Sequence, residues 1–160
     1  MYRENIDYVW RSLRRLSVQT RDLEDVAHDV FVVVHRRLGD FDASRRVRPW
    51  LFGIAHRVAS DYRRAAVRRV DPQGDMNEPQ WGLKDGATPE SETMRRETFD
   101  AVRAALEQLD EDSRAVFILV DLDGEPVTDV AASLEIPLNT AYSRLRRARQ
   151  TITNLLVSHD

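Results

Sequence analysis

Apolar residues recur along this chain at spacings of three and four. Ile6, Val9, Leu13 and Leu16 share one face of a first predicted helix. Leu23, Val26, Ala27, Val30, Phe31, Val34 and Leu38 define a second, and Gly39 stands where a helix C-terminus favours positive φ. A polar stretch from Asp40 to Arg48 follows. Pro49 then fits the first turn of a third helix, whose stripe is Leu51, Ile54, Ala55, Val58 and Tyr62. There the pattern stops: Pro72, Gly74, Pro79, Gly82 and Gly86 punctuate residues 70–88, which read as a flexible linker. Thr88, Pro89 and Glu90 are suited to N-cap, first-turn proline and first-turn acid, and Phe99, Val102, Leu106 and Leu109 continue that fourth helix. Asp110 can cap a fifth, with Val116, Phe117, Leu119 and Val120 as its core and Gly124 as its end. Pro126 opens a short sixth helix bearing Val127, Val130, Ala131 and Leu134. A seventh carries Ala141, Leu145, Ala148, Ile152 and Leu155.

No segment alternates as a strand. The expected fold class is therefore all-α: two small helical domains, residues 1–70 and 91–160, with a linker over 71–90. The last two helices, separated by the tight turn Glu135-Ile136-Pro137, have helix-turn-helix proportions, in which the second helix presents its N-terminal residues to a major groove. At 100° per residue, Asn139, Ser143, Arg146, Arg147 and Gln150 fall opposite the apolar stripe, flanked by Thr140 and Arg144. Amide, hydroxyl and guanidinium groups suit base edges and phosphates. An ordinary helical hairpin with a solvated basic face would carry the same pattern.

Composition adds a split that the average hides. The 160 residues carry a net charge of −3. Residues 1–70 hold 15 arginines against nine acids, a net of +6; residues 71–105 have a net of −4 and residues 106–160 a net of −5. A basic first half points to a polyanion partner, and an acidic remainder should weaken free, non-specific DNA binding. No apolar run is long enough to span a bilayer, and no apolar signal core follows Met1, so a cytoplasmic protein is expected. With no cysteine, disulfides and thiolate chemistry are excluded.

The third helix has a second face. Trp50, Gly53, Arg57, Asp61, Arg64 and Arg68 lie opposite its core stripe, and Arg45, Arg46 and Arg48 precede it. Arginines neutralise phosphates and an aromatic ring stacks on an unpaired base, the combination that holds single strands. Taken alone, Trp50 is better read as partly buried core. On the second helix, Asp25, His28, Asp29, Val32 and Arg36 share the outward face, where a valine among charges marks a docking surface.

Three stretches, Asp22–Phe31 (DLEDVAHDVF), Arg48–Arg57 (RPWLFGIAHR) with Asp61–Arg64 (DYRR), and Ile136–Arg149 (IPLNTAYSRLRRAR), resemble bacterial RNA polymerase sigma factors of the small extracytoplasmic-function group. Each alone is modestly specific; in this order around an acidic linker they are highly specific. The resemblance implies that a first domain (region 2) docks on the β′ clamp helices of core polymerase and melts and reads the promoter −10 element. It implies that a second domain (region 4) binds the β flap and reads the −35 element. Asp25, His28, Asp29, Val32 and Arg36 then correspond to the polymerase surface. Phe41, Arg45, Arg46, Arg48, Trp50, Arg57 and Arg64 correspond to the −10 surface, and Asn139, Thr140, Ser143, Arg144 and Arg147 to the −35 readers. The family implies an anti-sigma partner, with no cofactor, metal or membrane insertion. The chain departs from the family pattern at His28 and Asp29, where Gln-Glu is frequent, and at Glu135 and Asn139, where glycine is common.

Two other readings compete. A helix-turn-helix regulator that binds duplex operators without polymerase leaves the Trp50 stripe without a role. A metal-dependent phosphohydrolase built on His28, Asp29, His35 and His56 lacks ligands at intermediate spacing, and the chain shows no HExxH, glycine-rich phosphate loop or serine-nucleophile elbow, so a non-enzyme is expected.

Overall fold

The computed structural model describes residues 2–68 and 89–158. The linker expected over 71–90 therefore lies outside the described residues apart from its last two positions, as do the Thr88 cap and the side chain of Phe99. Among the described residues every regular element is helical.

The first half is a three-helix unit: α1 (Tyr2–Arg15), α2 (Leu23–Arg37) and α3 (Val47–Arg68). Val9, Leu13, Leu16, Leu23, Val30, Leu51, Phe52 and Ala55 fill its centre, as the helical spacing requires. Tyr62 lies at the edge of the α3 stripe, where its hydroxyl donates to Asp22 Oδ2 at 2.5 Å. Burial, then the hydrogen bond and charge of Asp22, push this phenol up to about 12. Helix α1 closes in a Schellman turn: the Val18 N–H reaches the Leu13 carbonyl and the Ser17 N–H reaches that of Arg14. Ser17 accordingly adopts φ +67°, a conformation that favours glycine.

The second half contains α4 (Pro89–Glu107), α5 (Glu111–Phe117), α6 (Val127–Leu134) and α7 (Leu138–Val157). Asp110 caps α5 as expected, accepting from the Ser113 N–H at 3.1 Å. The chain then widens into a π-helical turn over Ile118–Leu122, and Gly124 at φ +73° ends it. Val116, Ile118, Leu119, Val130, Ala141, Leu145 and Ala148 pack between α5, α6 and α7.

Three sequence expectations are corrected. Leu38 is outside the core, at 43% exposure, because α2 tightens into a 3-10 turn over Leu38–Asp40. Gly39 in that turn has no positive φ, so the helix end needs no glycine. Val102 is 40% exposed, whereas Leu106, one turn further along α4, and Leu109 just beyond the helix are buried.

The two halves pack directly on one another. Their buried apolar side chains form one continuous cluster, and α3 crosses α6 at Gly53. A β-carbon on Gly53 would stand 2.5 Å from the Ser133 carbonyl oxygen, so only glycine admits this approach.

Candidate nucleic-acid interface

Three faces gather the candidate residues. On α2, Asp25, His28, Asp29 and Arg36 are exposed and Val32 is half-buried, all on the side away from α1 and α3. This face lies open to solvent, as its periodicity requires.

On α7, Asn139, Ser143 and Arg147 are exposed, with Thr140 and Arg144 half-buried at the flanks. Asn139 is the second residue of the helix, and Pro137 is its N-cap. The helix-turn-helix angle depends on the turn before it. There the Ile136 N–H reaches the Ala131 carbonyl and the Glu135 N–H reaches that of Ala132, a second Schellman turn. Glu135 takes φ +57°, ψ +44°, so the turn keeps its form with a glutamate at the glycine position. A β-carbon there costs about 1 kcal/mol. Arg144 and Arg149 are held by their own domain, Arg144 3.8 Å from Asp112 and Arg149 bidentate to Asp121 at 2.9 and 2.7 Å.

The third face is on α3 and the loop before it. Trp50 is half-buried, its ring 4.8 Å from that of Phe41 and tilted by 45°. Trp50 is thus both a side chain packed at the edge of the core and one wall of an open cleft. The cleft holds about 340 Å³ and is lined by Phe41, Trp50, Arg45, Arg57, Ser133 and Glu135, among others. Arg48 lies over the Tyr8 ring at 5.2 Å, Arg45 is 3.9 Å from Asp42, and Arg64 reaches Asp61 at 2.5 Å.

The Trp50–Gly53–Arg57 part of the expected free stripe faces the second half of the chain. Arg57 Nη2 lies 2.6 Å from Glu135 Oε2, and Arg37 reaches the same carboxylate at 4.0 Å. Arg46 Nε lies 2.7 Å from Glu125 Oε2. That contact is off the N–H direction, so it is an ion pair and not a hydrogen bond. Glu125 is 4% exposed. Further along the seam the Tyr8 hydroxyl and Arg15 donate to the two oxygens of Asp123 at 3.1 and 2.8 Å, and Arg63 pairs with Glu111. His56 lies 3.9 Å from Asp112; burial holds its imidazole below the ordinary value despite the nearby Glu111 and Asp112. Among the described pairs across this seam the base comes from the first half and the acid from the second, with one exception. Arg114 of α5 is buried and donates to Ser17 Oγ at 2.7 Å and to the Leu109 carbonyl at 3.1 Å.

Sequence reasoning named Arg46 and Arg57 and, in the turn, Glu135, but paired no arginine with a carboxylate and gave no role to Arg63, Glu111, Asp123 or Glu125. The charge split between the halves was the available signal.

Residues 1–69 match the family model described as sigma-70 region 2, and residues 99–152 that of sigma-70, region 4. The RNA polymerase sigma-H factor of Pseudomonas aeruginosa is 32% identical over 143 residues, 85% of this chain and 74% of its own length. The ECF RNA polymerase sigma-E factor of Escherichia coli is 32% identical over 144 residues, 86% of this chain and 75% of its own. The chain belongs to the extracytoplasmic-function sigma factors of RNA polymerase. This sigma factor binds core polymerase and directs promoter-specific transcription initiation. The region 2 match also gives its first half a role that a duplex-only regulator leaves empty. In fold, the sigma factor resembles the sigma factor RpoE of Bartonella quintana, solved with the anti-sigma factor NepR. The TM-score is 0.73 at 21% identity, over 97% of this chain and 93% of that one. Among the described residues of the sigma factor, no helix is long and apolar enough to cross a membrane.

Proposed function

We propose that this sigma factor divides promoter recognition between residues 1–70 and 91–160, joined by residues 71–90. Asp25, His28, Asp29, Val32 and Arg36 dock on the β′ clamp helices, where two carboxylates meet basic partners. Phe41, Arg45, Arg46, Arg48, Trp50, Arg57 and Arg64 hold the melted −10 strand by stacking and phosphate contact. Asn139, Thr140, Ser143, Arg144 and Arg147 read the −35 element in the major groove, while the second domain engages the β flap. The protein acts in the cytoplasm, has no catalytic residue or cofactor, and is restrained by an anti-sigma factor.

The observation that carries this reading is the Phe41–Trp50 ring pair set among Arg45, Arg46 and Arg57. Stacking surface and guanidinium groups in one cleft suit an unpaired base and its phosphates, and have no use for a closed duplex. Run-off transcription with core polymerase over a promoter library tests it. Transcripts should start only where a preferred −10 and −35 pair occurs, and free protein should bind duplex DNA weakly at physiological salt. Tight duplex binding without polymerase, and no transcripts with it, would establish a plain duplex-binding regulator instead.

A further inference from the structure

The outward side of α7 has two unlike flanks. Thr140, Arg144 and Arg147 stand on one, and Leu138 and Tyr142 on the other, with Asn139 and Ser143 between them. Leu138 is 41% exposed and Tyr142 49%. Among the described large apolar side chains that are exposed, these are the only two that lie one helical turn apart, so they form a short ridge. The core of their own domain takes Ala141, Leu145 and Ala148 from α7 and leaves the ridge in solvent. The ridge starts at the first residue of the helix, where the Ala141 N–H donates to the carbonyl of the Pro137 N-cap at 3.1 Å. One turn beyond Tyr142 it continues in Arg146, which is exposed. An apolar ridge that runs into a cation, beside a row of hydrogen-bonding side chains, fits a partner surface that is mostly polar and anionic and carries isolated apolar groups.

The major groove of duplex DNA is such a surface. The one methyl group it presents is that of thymine, set among the donors and acceptors of the base edges. We propose that Leu138 and Tyr142 are specificity-determining residues that read thymine methyl groups in the −35 element, Leu138 through its branched end and Tyr142 through its ring. This assignment rests on the reading of the α7 face as the −35 surface, and it adds two contacts that are apolar instead of hydrogen-bonded. Residues four apart are separated by about 6 Å along a helix. Successive bases of one strand are separated by about 3.4 Å along the duplex. The two methyl groups therefore lie one or two base steps apart. A side chain that meets only the methyl is indifferent to the hydrogen-bonding edge of the base, so the ridge supplies discrimination that Asn139 and Ser143 do not.

Deoxyuridine differs from thymidine by that methyl group alone. The test is therefore a promoter selected from a library by the wild-type holoenzyme, in which each −35 thymine, on either strand, is replaced in turn by deoxyuridine. Holoenzyme affinity for each template is the readout. Wild type should lose about fourfold at each of two positions, the worth of one methyl group removed from water. Leu138→Ala should bind the thymine and deoxyuridine templates alike at one of them, and Tyr142→Ala at the other. Both variants should keep the helical content and the core polymerase affinity of wild type, since both side chains are exposed. Tyr142→Phe should keep the wild-type pattern; if it loses the discrimination, the hydroxyl and not the ring makes the contact and the assignment is overturned. If wild type is indifferent to every deoxyuridine while Ser143→Ala still changes base preference, the ridge reads no methyl group and only the −35 reading of α7 stands. If discrimination survives both alanine variants, another side chain reads the methyl groups and the assignment is overturned. If both alanine variants weaken core polymerase binding and leave discrimination intact, the ridge is a protein contact, which also overturns it. If none of Leu138→Ala, Asn139→Ala, Tyr142→Ala and Ser143→Ala alters binding to any −35 sequence, the reading of the α7 face falls and takes the methyl contacts with it.

Discussion

The α3 face and the α7 face carry similar chemistry and meet different surroundings. On α7, Arg144 and Arg149 are held by Asp112 and Asp121 of their own domain, which leaves Asn139, Ser143 and Arg147 exposed. On α3 and the loop before it, two cations lie against carboxylates of the opposite half, Glu135 on Arg57 and Glu125 on Arg46, while Arg64 and Arg45 pair with Asp61 and Asp42 of their own half. A surface paired within its own unit does not depend on how the halves pack, whereas one paired across units is covered by that packing. Net charge by segment does not distinguish these cases; the address of each carboxylate does.

The largest expected effect is on the seam itself. Arg114→Ala removes the only cation that crosses from the second half to the first among the described pairs and leaves the Leu109 carbonyl without its buried donor. Loss of about 2–3 kcal/mol in chemical unfolding follows, against less than about 0.5 kcal/mol for Gln150→Ala on the exposed α7 face. Equal losses would erase the distinction between the two faces.

A comparable effect on binding, without loss of fold, belongs to the open α2 face. Reversing both charges, Asp25→Lys with Asp29→Lys, should weaken core polymerase binding by about 2–4 kcal/mol. The helical melt should be unchanged, since both side chains are exposed. Unaltered affinity with an intact fold would move the docking surface elsewhere.

The α7 face should separate into two kinds of contact. Asn139→Ala or Ser143→Ala changes base preference at the −35 element by about 1–3 kcal/mol. Arg147→Ala weakens all −35 sequences alike and lowers the salt dependence of binding by about one phosphate contact. Promoter-library transcription at two salt concentrations reads both patterns.

The smallest effect is on pH dependence. Burial holds His56 below its ordinary value of 6.5, with Glu111 and Asp112 pulling upward and Arg63 and Arg57 downward. As pH falls below about 6.5 the unfolded chain takes up a proton that the folded one resists, so stability is full above that pH and declines on acidification. His56→Gln should flatten this slope. Thermal melts from neutral to mildly acidic pH provide the check.

The helices were legible in the sequence because each buries a stripe at helical spacing. Val127–Leu134 has the same bounds in sequence and structure, and Asp110 and Gly124 behave as cap and terminator. The errors lie where tertiary contact overrides local pattern. Leu38 continues an apolar stripe whose helix has already tightened, and Val102 stays 40% exposed where the core begins only at Leu106. The α7 face could be read from angular position alone, since its helix is amphipathic and one-sided. The α3 face could not, because α3 is covered on two sides, by its own unit and by α6. Gly53 was visible in the stripe, yet its meaning depends on Ser133, eighty residues away in sequence. Glu135 was visible as a departure from the family glycine, but its partners Arg57 and Arg37 are set by packing.

The claim that the α3 face holds a separated strand and the α7 face a closed duplex is tested most directly by permanganate footprinting of open complexes. Wild type, Trp50→Ala and Ser143→Ala are compared with core polymerase on a duplex promoter and on one with a pre-melted −10 bubble. Opening a duplex costs about 1.4 kcal/mol per base-pair step, and stacking returns about 1–3 kcal/mol per base. Trp50→Ala should therefore leave thymines of the duplex promoter unreactive and recover much of the wild-type signal on the bubble. Ser143→Ala should show the same deficit on both templates, because its duplex contact is unaffected by melting elsewhere. Wild-type opening of the duplex promoter by Trp50→Ala would contradict the account and leave Trp50 as a side chain of the core.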